Sequence, residues 1–226
     1  MRKELAALVG KSTKRKFKAG NGILYQGEAP RLACVIVKGI VRVYSISPKG
    51  DELNVMFHVA GEFFPSSWIF GKAPNALFFY EAKTDCEIAY IPRQELISFM
   101  TANPQRFHAL LDYFTTNYAA FMIRVNALEQ PKARDKLIYT LYFLCQRYAD
   151  NIDFDSSQKV IIPLHLTHQN IAGLVGLTRE TTAIELNNLK NEGVLKYRRQ
   201  RYVVDISRLF DLIGDEGLQD VSIAHD

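Results

Sequence analysis

Residues 167–195 read THQNIAGLVGLTRETTAIELNNLKNEGVL, and this stretch decides the fold of the C-terminal part of the chain. Thr167 stands where a helix cap is needed, and Ile171, Ala172 and Val175 follow it as one apolar face. Gly176 then offers a residue that tolerates positive φ at a helix end. Thr178 can cap a second helix, whose first turn is Arg179, Glu180 and Thr181 and whose buried side is Leu186 and Leu189. Two short helices joined by a glycine turn, the second opening on polar side chains, make the pattern of a helix-turn-helix that offers its second helix to base edges.

An ordinary helical hairpin has the same outline, so the sequel matters. Residues 196–204 read KYRRQRYVV, crowding Lys196, Arg198, Arg199 and Arg201 between the strand-like flanks Val194-Leu195 and Tyr202-Val203-Val204. A basic hairpin after a recognition helix is a wing, whose cations reach phosphates beside the groove and add affinity without sequence preference. Upstream, ARDKLIYTLYFLCQRYAD (133–150) predicts a helix with Leu137, Leu141 and Leu144 on one side, and DFDSSQKVIIPLHL (153–166) a polar turn and a short strand. Downstream, DISRLFDLI (205–213) predicts a closing helix capped by Asp205. Helix, strand, helix, helix, hairpin is the order of a winged helix-turn-helix.

The N-terminal half has a different texture. From Phe17 to about Pro92, β-rich runs such as Val35-Ile36-Val37, Val41–Val43 and Asn54–Phe57 alternate with Gly20, Gly27, Gly39, Gly50 and Gly61. A further β segment, FFYEAKTDCEIAYIP (78–92), follows. Many short strands at this spacing predict a small β-roll. Between Pro104 and Gln130 lies one helical pattern, stopped or kinked at Pro131, in which Phe107, Leu111, Phe114, Tyr118, Phe121, Val125 and Leu128 recur at alternating intervals of four and three. That is a coiled-coil seam and predicts a homodimer; a long helix packed only on its own roll is the competing reading. Leu110, Ala120 and Met122 widen the apolar surface, so that one face can lie on the roll while another meets a second copy. At ~1.5 Å per residue the helix would span roughly 40 Å. The predicted fold class is therefore α+β: a β-roll sensor over 1–103, a dimerisation helix over 104–131 and a winged helix-turn-helix over 132–226.

Composition narrows the classes. With 226 residues, 48% apolar and 23% charged, the chain can bury real cores without disulfide staples. No apolar run approaches the ~20 residues that cross a bilayer, and MRKELAALVGKSTKRKFK lacks the apolar core of a secretory signal. No membrane association and a cytoplasmic location are expected. Cys34, Cys86 and Cys145 are isolated and embedded in apolar sequence, which predicts reduced core thiols rather than a metal site. The formal charge of +4 says little, because the tail DEGLQDVSIAHD is acidic; cations gather in the wing and in KSTKRKFK (11–18), the latter expected to be a solvated leader.

The arrangement over residues 15 to 212 resembles the Crp/Fnr transcription factors. In the roll the resemblance rests on Phe17, Gly20, Ile23, Tyr25, Gly27, Glu28, the run Val35-Ile36-Val37-Lys38-Gly39, and Gly61-Glu62-Phe63-Phe64. In the reader it rests on Leu166-Thr167, Ile171-Ala172, Val175-Gly176, Thr178-Arg179-Glu180-Thr181, Leu186, Leu189 and Gly193. The resemblance implies that Arg179 reads guanine, donating twice to O6 and N7, and that Glu180 accepts from a cytosine amino group or orients that arginine. It also implies phosphate contacts from Thr167, Gln169, Thr178 and Thr181; helix capping is an equal and compatible reading of these four. Where the family often carries a second arginine this chain has Ile184, which can touch a thymine methyl but cannot donate, so the half-site should differ at that base pair.

The sensory half departs further. Family members that bind cyclic nucleotides pair Gly-Glu with a later Arg-Ser/Thr; here Gly61 and Glu62 are followed by Ala76-Leu77-Phe78-Phe79-Tyr80, with no arginine between Glu62 and Arg93. A buried phosphate would lack its bidentate partner, so no cyclic nucleotide and no other cofactor is expected. Gly61, Glu62, Phe63, Phe64, Trp68, Phe78 and Tyr80, with Phe70 and Phe79, are read either as a pocket for an apolar or aromatic effector or as a roll filled by its own side chains. Iron-sulfur sensing has no cysteine group to use, and haem sensing only the solitary His58 and Cys86. The function expected is a dimeric regulator on a near-palindromic DNA site, contacting RNA polymerase. The alternative is a cyclic-nucleotide-responsive sensor or regulatory subunit acting through ligand and protein contacts. With no phosphate loop, nucleophile elbow or paired metal ligands, an enzyme is not expected.

Overall fold

The computed structural model describes residues 2–149, 159–198 and 201–214. They divide into two compact units that meet between Phe114 and Thr115.

The first unit opens with α1 (Arg2–Lys11), followed by β1 (Thr13–Phe17), β2 (Gly22–Leu24), β3 (Ala33–Lys38), β4 (Val41–Ile46), β5 (Glu52–His58) and β6 (Phe63–Phe64). Then come α2 (Ser66–Ile69), β7 (Phe79–Ala82), β8 (Cys86–Ile91), α3 (Arg93–Thr101) and the start of α4 (Pro104–Glu129). The strands form two four-stranded sheets, ordered β1-β8-β3-β6 and β2-β7-β4-β5, with every pairing antiparallel.

The first of these sheets is covered on both sides, which is why ACVIV in β3 is apolar without a break. Cys34, Ile36, Phe64, Cys86 and Ile88 face inward, against Leu24, Val41, Val43, Tyr80 and Ala82 of the second sheet. The alternate residues Ala33, Val35, Phe63, Ala89 and Ile91 face a separate core built with Leu5 and Leu8 of α1, Ile69 of α2, Leu96 and Met100 of α3 and Leu110 of α4.

One expectation is corrected here. The cluster KSTKRKFK is not a leader: Thr13–Phe17 is a strand paired with β8 from Thr13↔Tyr90 to Phe17↔Cys86, and the residues before it form α1. Its cations are exposed, as foreseen, but they mark a sheet edge, where lysine-rich strands discourage pairing with other chains. Alternation gives no signal in a strand whose side chains are nearly all exposed.

Helix α4 begins where Asn103 Oδ1 accepts from the N–H groups of Gln105 (2.9 Å) and Arg106 (3.2 Å). Of the expected seam, Phe107, Leu111, Tyr118 and Phe121 are exposed. Phe114 is not on that exposed row: it is half-buried and packs against Phe63, Phe70 and Tyr113 of the first unit.

The second unit contains the distal part of α4, α5 (Ala133–Tyr148), β9 (Lys159–Ile161), α6 (His168–Val175), α7 (Arg179–Asn191), β10 (Leu195–Arg198), β11 (Arg201–Asp205) and α8 (Ile206–Ile213). Leu137, Leu141 and Leu144 of α5 are fully buried, as are Ile171 of α6, Leu189 of α7 and Leu209 of α8. The strands form one antiparallel sheet, β10-β11-β9.

Candidate nucleic-acid interface and the roll interior

Capping fixes both reader helices. At α6 the Thr167 hydroxyl accepts from the Asn170 N–H at 3.2 Å, while Asn170 Oδ1 accepts from the Thr167 N–H at 3.0 Å, so that two orphan donors are satisfied reciprocally. The helix ends at Gly176, left-handed at φ 67°, which a side chain would strain. At α7 the Thr178 hydroxyl accepts from the Thr181 N–H at 3.1 Å, and Thr182 Oγ1 donates to the Thr178 carbonyl at 2.8 Å. The backbone on both sides of the glycine turn is thereby set, and with it the direction in which α7 starts.

What α7 shows to solvent follows from its burial. Thr182, Leu186 and Leu189 are buried; Arg179, Glu180, Ile184, Asn187 and Asn188 are exposed. Glu180, Ile184 and Asn187 fall at helical spacing on one face. Ile184 is 61% exposed, an apolar side chain held out among polar neighbours. Asn187 was missed by sequence reading; its signal is simply an amide one turn beyond Ile184, and Asn is a donor-acceptor match for adenine. Of the threonines, Thr167 and Thr178 are exposed and Thr181 half-buried, and Gln169 is exposed on the first turn of α6. The Thr167 hydroxyl also donates to Asn170 Oδ1 at 3.0 Å, and the Thr178 and Thr181 hydroxyls lie 3.0 Å apart and share a hydrogen bond.

In the wing, Leu195, Tyr202, Val204 and Val160 face the core, and the alternate positions Lys196, Arg198, Arg201, Val203 and Ile161 face outward. Arg198 and Arg201 are cross-strand partners. Arg201 Nε donates to His165 Nε2 at 3.3 Å. Together with Ile161 and Val203 these three side chains line an open cleft of about 490 Å³, with two guanidinium groups in its wall. Arg199 lies outside the described residues. At the far end of α7, Arg134 grips Glu192 through both nitrogens, at 2.9 and 2.5 Å, and this partner holds the Glu192 carboxyl below its usual range.

The roll does not bring its expected set together. Phe63 and Phe64 are consecutive on β6, so they point to opposite faces of the sheet. Phe63 packs at a tilt against Tyr113 (4.9 Å between centroids) and Phe70 (6.0 Å) in the core shared with α1 to α4, where Trp68 also packs, beneath Arg93. Phe64 instead stacks on Tyr80 at 4.7 Å in the core between the sheets, where Phe78 is half-buried. Both readings of this set, an effector pocket or a roll filled by its own side chains, took it as one group, and that grouping is corrected: the aromatic residues divide between two cores.

Gly61 donates its N–H to the Ile36 carbonyl at 2.8 Å, and Glu62 turns inward. Its carboxylate lies 2.6 Å from His58 Nδ1; both side chains are buried, and the imidazole lies beside the stacked Phe64–Tyr80 pair, nearly parallel to both rings, at 6.0 and 6.3 Å between centroids. The partnership of His58 with Glu62 had no signal in the sequence beyond their i, i+4 spacing across a turn. Burial pushes the Cys34 thiol up to about 12 and raises Cys86 and Cys145 as well, which keeps all three protonated and poorly nucleophilic at neutral pH.

A roll of two antiparallel sheets followed by a long helix and a capped helix-turn-helix with a basic wing defines a sensor-reader class of DNA-binding protein. Residues 14–103 match the cyclic nucleotide-binding domain model and residues 135–212 the Crp-like helix-turn-helix domain model. Together the two matches span most of the chain, in that order, and the chain belongs to the Crp/Fnr family of transcription regulators, which are not enzymes. It is 27% identical over 207 residues to the transcriptional regulator SdrP of Thermus thermophilus, covering 89% of this chain and 94% of the relative. It is 24% identical over 189 residues to the cAMP-activated global transcriptional regulator CRP of Haemophilus influenzae, covering 84% and 82%. A solved structure of a CooA variant from Carboxydothermus hydrogenoformans shares the fold with a TM-score of 0.73 and 19% identity, over 92% of this chain and 90% of that one. No helix among the described residues is long and apolar enough to cross a membrane.

Proposed function

We propose that the chain is a cytoplasmic, homodimeric regulator that binds a near-palindromic duplex site, places the first turn of α7 in the major groove of each half-site and engages RNA polymerase from there. The observation that carries this is the exposed, capped start of α7: Arg179 and Glu180 stand free at the solvent end, with Ile184 and Asn187 on the face behind them. Arg179 donates to guanine, Glu180 accepts from cytosine or orients Arg179, Ile184 lies against a thymine methyl and Asn187 reaches the next position. Thr167, Gln169, Thr178 and Thr181 supply phosphate contacts at the helix starts, and Arg198, Arg199 and Arg201 do so in the wing.

The division of labour is a sensor over 1–103, a dimerisation helix over 104–131 and a reader over 132–226. The exposed row Phe107, Leu111, Tyr118 and Phe121, continued by the half-buried Val125 and Leu128, meets a second copy. The effector of the roll is not a cyclic nucleotide. Glu62 is already held by His58, Arg93 donates to the Ile69 carbonyl at 2.8 Å, and no arginine lies between them in sequence. Phe64, Phe78 and Tyr80 fill the space between the sheets, so the roll serves either a small apolar or aromatic effector that displaces them or, unliganded, as a scaffold.

Selection of bound sequences from random duplex DNA tests the reading. The wild type should return a two-fold symmetric site, and Ile184→Arg should shift the preference to guanine at one base pair of each half-site, with discrimination of ~1–3 kcal/mol. An unchanged site would remove Ile184 from the groove, and the absence of any selected site would remove the reader.

A further inference from the structure

Within the second unit, two side chains of the distal part of α4, Arg124 and Asn117, make polar grips on the reader. Arg124 Nη2 donates to the carbonyl of Leu174 at 3.3 Å, and its guanidinium lies over the Phe143 ring at 5.9 Å from the centroid. Leu174 is in the last turn of α6, where the final four carbonyls find no acceptor role within their own helix and the helix dipole favours a cation. Two residues later the chain turns at Gly176 toward Thr178, the cap of α7. Arg124 therefore grips the base of the turn that aims the recognition helix.

The second grip is one heptad earlier. Asn117 Oδ1 accepts from Arg147 Nη2 of α5 at 3.0 Å. Residues 117 and 124 lie on one face of α4, each immediately before an expected seam position, Tyr118 and Val125. The face that holds the reader thus borders the face proposed to hold the second copy. Alongside these grips Ala120, Ile123 and Ala127 of α4 are buried, and Lys136 Nζ donates to the Leu128 carbonyl at 2.7 Å. Apolar burial is non-directional, so the polar grips add the directional hold.

We propose that Arg124 is a positioning residue for DNA recognition: through Leu174 it locks the helix-turn-helix turn onto α4, so that the two recognition helices of the dimer keep one separation. This rests on the dimeric reading above. A planar, directional donor that also stacks on an aromatic ring suits the task, and a lysine would keep the charge while losing the fork and the stacking.

The test measures affinity of the full-length protein for a palindrome selected by the wild type, for the same palindrome with one base pair added or removed between half-sites, and for a single half-site. Each base pair moves the half-sites by ~3.4 Å and rotates them by about a tenth of a turn. In Arg124→Met, which keeps length and packing on Phe143, the penalty for altered spacing should fall by about tenfold, a common size for coupling between sites, with half-site affinity unchanged. Arg124→Lys should be intermediate. Should Arg124→Met fail to fold by circular dichroism, Asn117→Ala opens the other grip and should broaden spacing in the same direction. A spacing penalty that stays at the wild-type value, or affinities that fall in parallel on every DNA including the half-site, would overturn the proposal and leave Arg124 a structural residue. A wild type indifferent to spacing would instead overturn the dimeric reading, and this proposal with it.

Discussion

Two pairs of like neighbours, Thr181-Thr182 at the start of α7 and Phe63-Phe64 on β6, are divided by the geometry of their elements in different ways. On the helix, a step of about 100° turns Thr182 inward, where it donates to the Thr178 carbonyl, and leaves Thr181 half-buried beside the cap. On the strand, a step of 180° sends the two rings into different cores. The reader keeps its recognition groups outside on a frame of caps, and the roll draws even its acid, Glu62, inside against a histidine. The reader is thus built to meet a large polar partner, and the roll is built around its own side chains.

The roll side of that contrast yields the largest expected effect. Phe64 is fully buried and stacked on Tyr80, so Phe64→Ala should destabilise the roll by ~3–5 kcal/mol, the cost of lost transfer energy plus a cavity. Trp68 is the one tryptophan in the sequence and lies in the first unit, so its fluorescence during urea unfolding reports that unit. A loss under about 1 kcal/mol would mean that the ring borders open space, and would turn the self-filled roll into a ready pocket.

The same contrast explains what the sequence made legible. In the reader, Thr167, Gly176 and Thr178 each have a local duty, capping or a positive φ, and local duties leave fixed spacings. The exposed face of α7 then follows from which apolar residues are inside, and only Asn187, which has no structural duty to announce it, escaped notice. In the roll, the period of two told that neighbours part company, yet the aromatic residues between Phe63 and Tyr80 invited grouping by composition. Which core each face joins depends on α1, α3 and α4 covering one side of the sheet, and that is a long-range fact. The basic strand Thr13–Phe17 was lost for a related reason, since an exposed edge strand has no buried positions to alternate with.

On the reader side, Arg179→Ala should cost ~1–3 kcal/mol of affinity for the selected site and relax the preference at the base pair it contacts. Titration of the selected duplex and of a variant at that base pair measures both. Phe64→Ala, assayed below its unfolding midpoint, should keep the wild-type base preference, because every base contact proposed above lies in the second unit. Were Arg179→Ala to retain both affinity and preference, the polar start of α7 would be ordinary solvated surface and the contrast with the roll would lose its functional meaning.

The smallest effect divides the reader itself. Arg201 faces outward in the wing cleft beside His165 and Arg198, away from α7's exposed face in sequence and in element. A cation that meets only phosphate releases counterions without regard to base, so Arg201→Ala should weaken selected and unrelated duplexes by the same factor. The plot of log affinity against log salt should also become shallower by about 0.9, the share of one phosphate contact. Arg179→Ala should do the reverse, narrowing the affinity difference between the selected and unrelated duplexes while changing the salt slope less. Measuring both variants on two duplexes across a salt series places each arginine on one axis or the other. If Arg201→Ala instead penalised the selected site alone, the wing would be reading bases or groove shape, and specificity would no longer belong to α7 by itself.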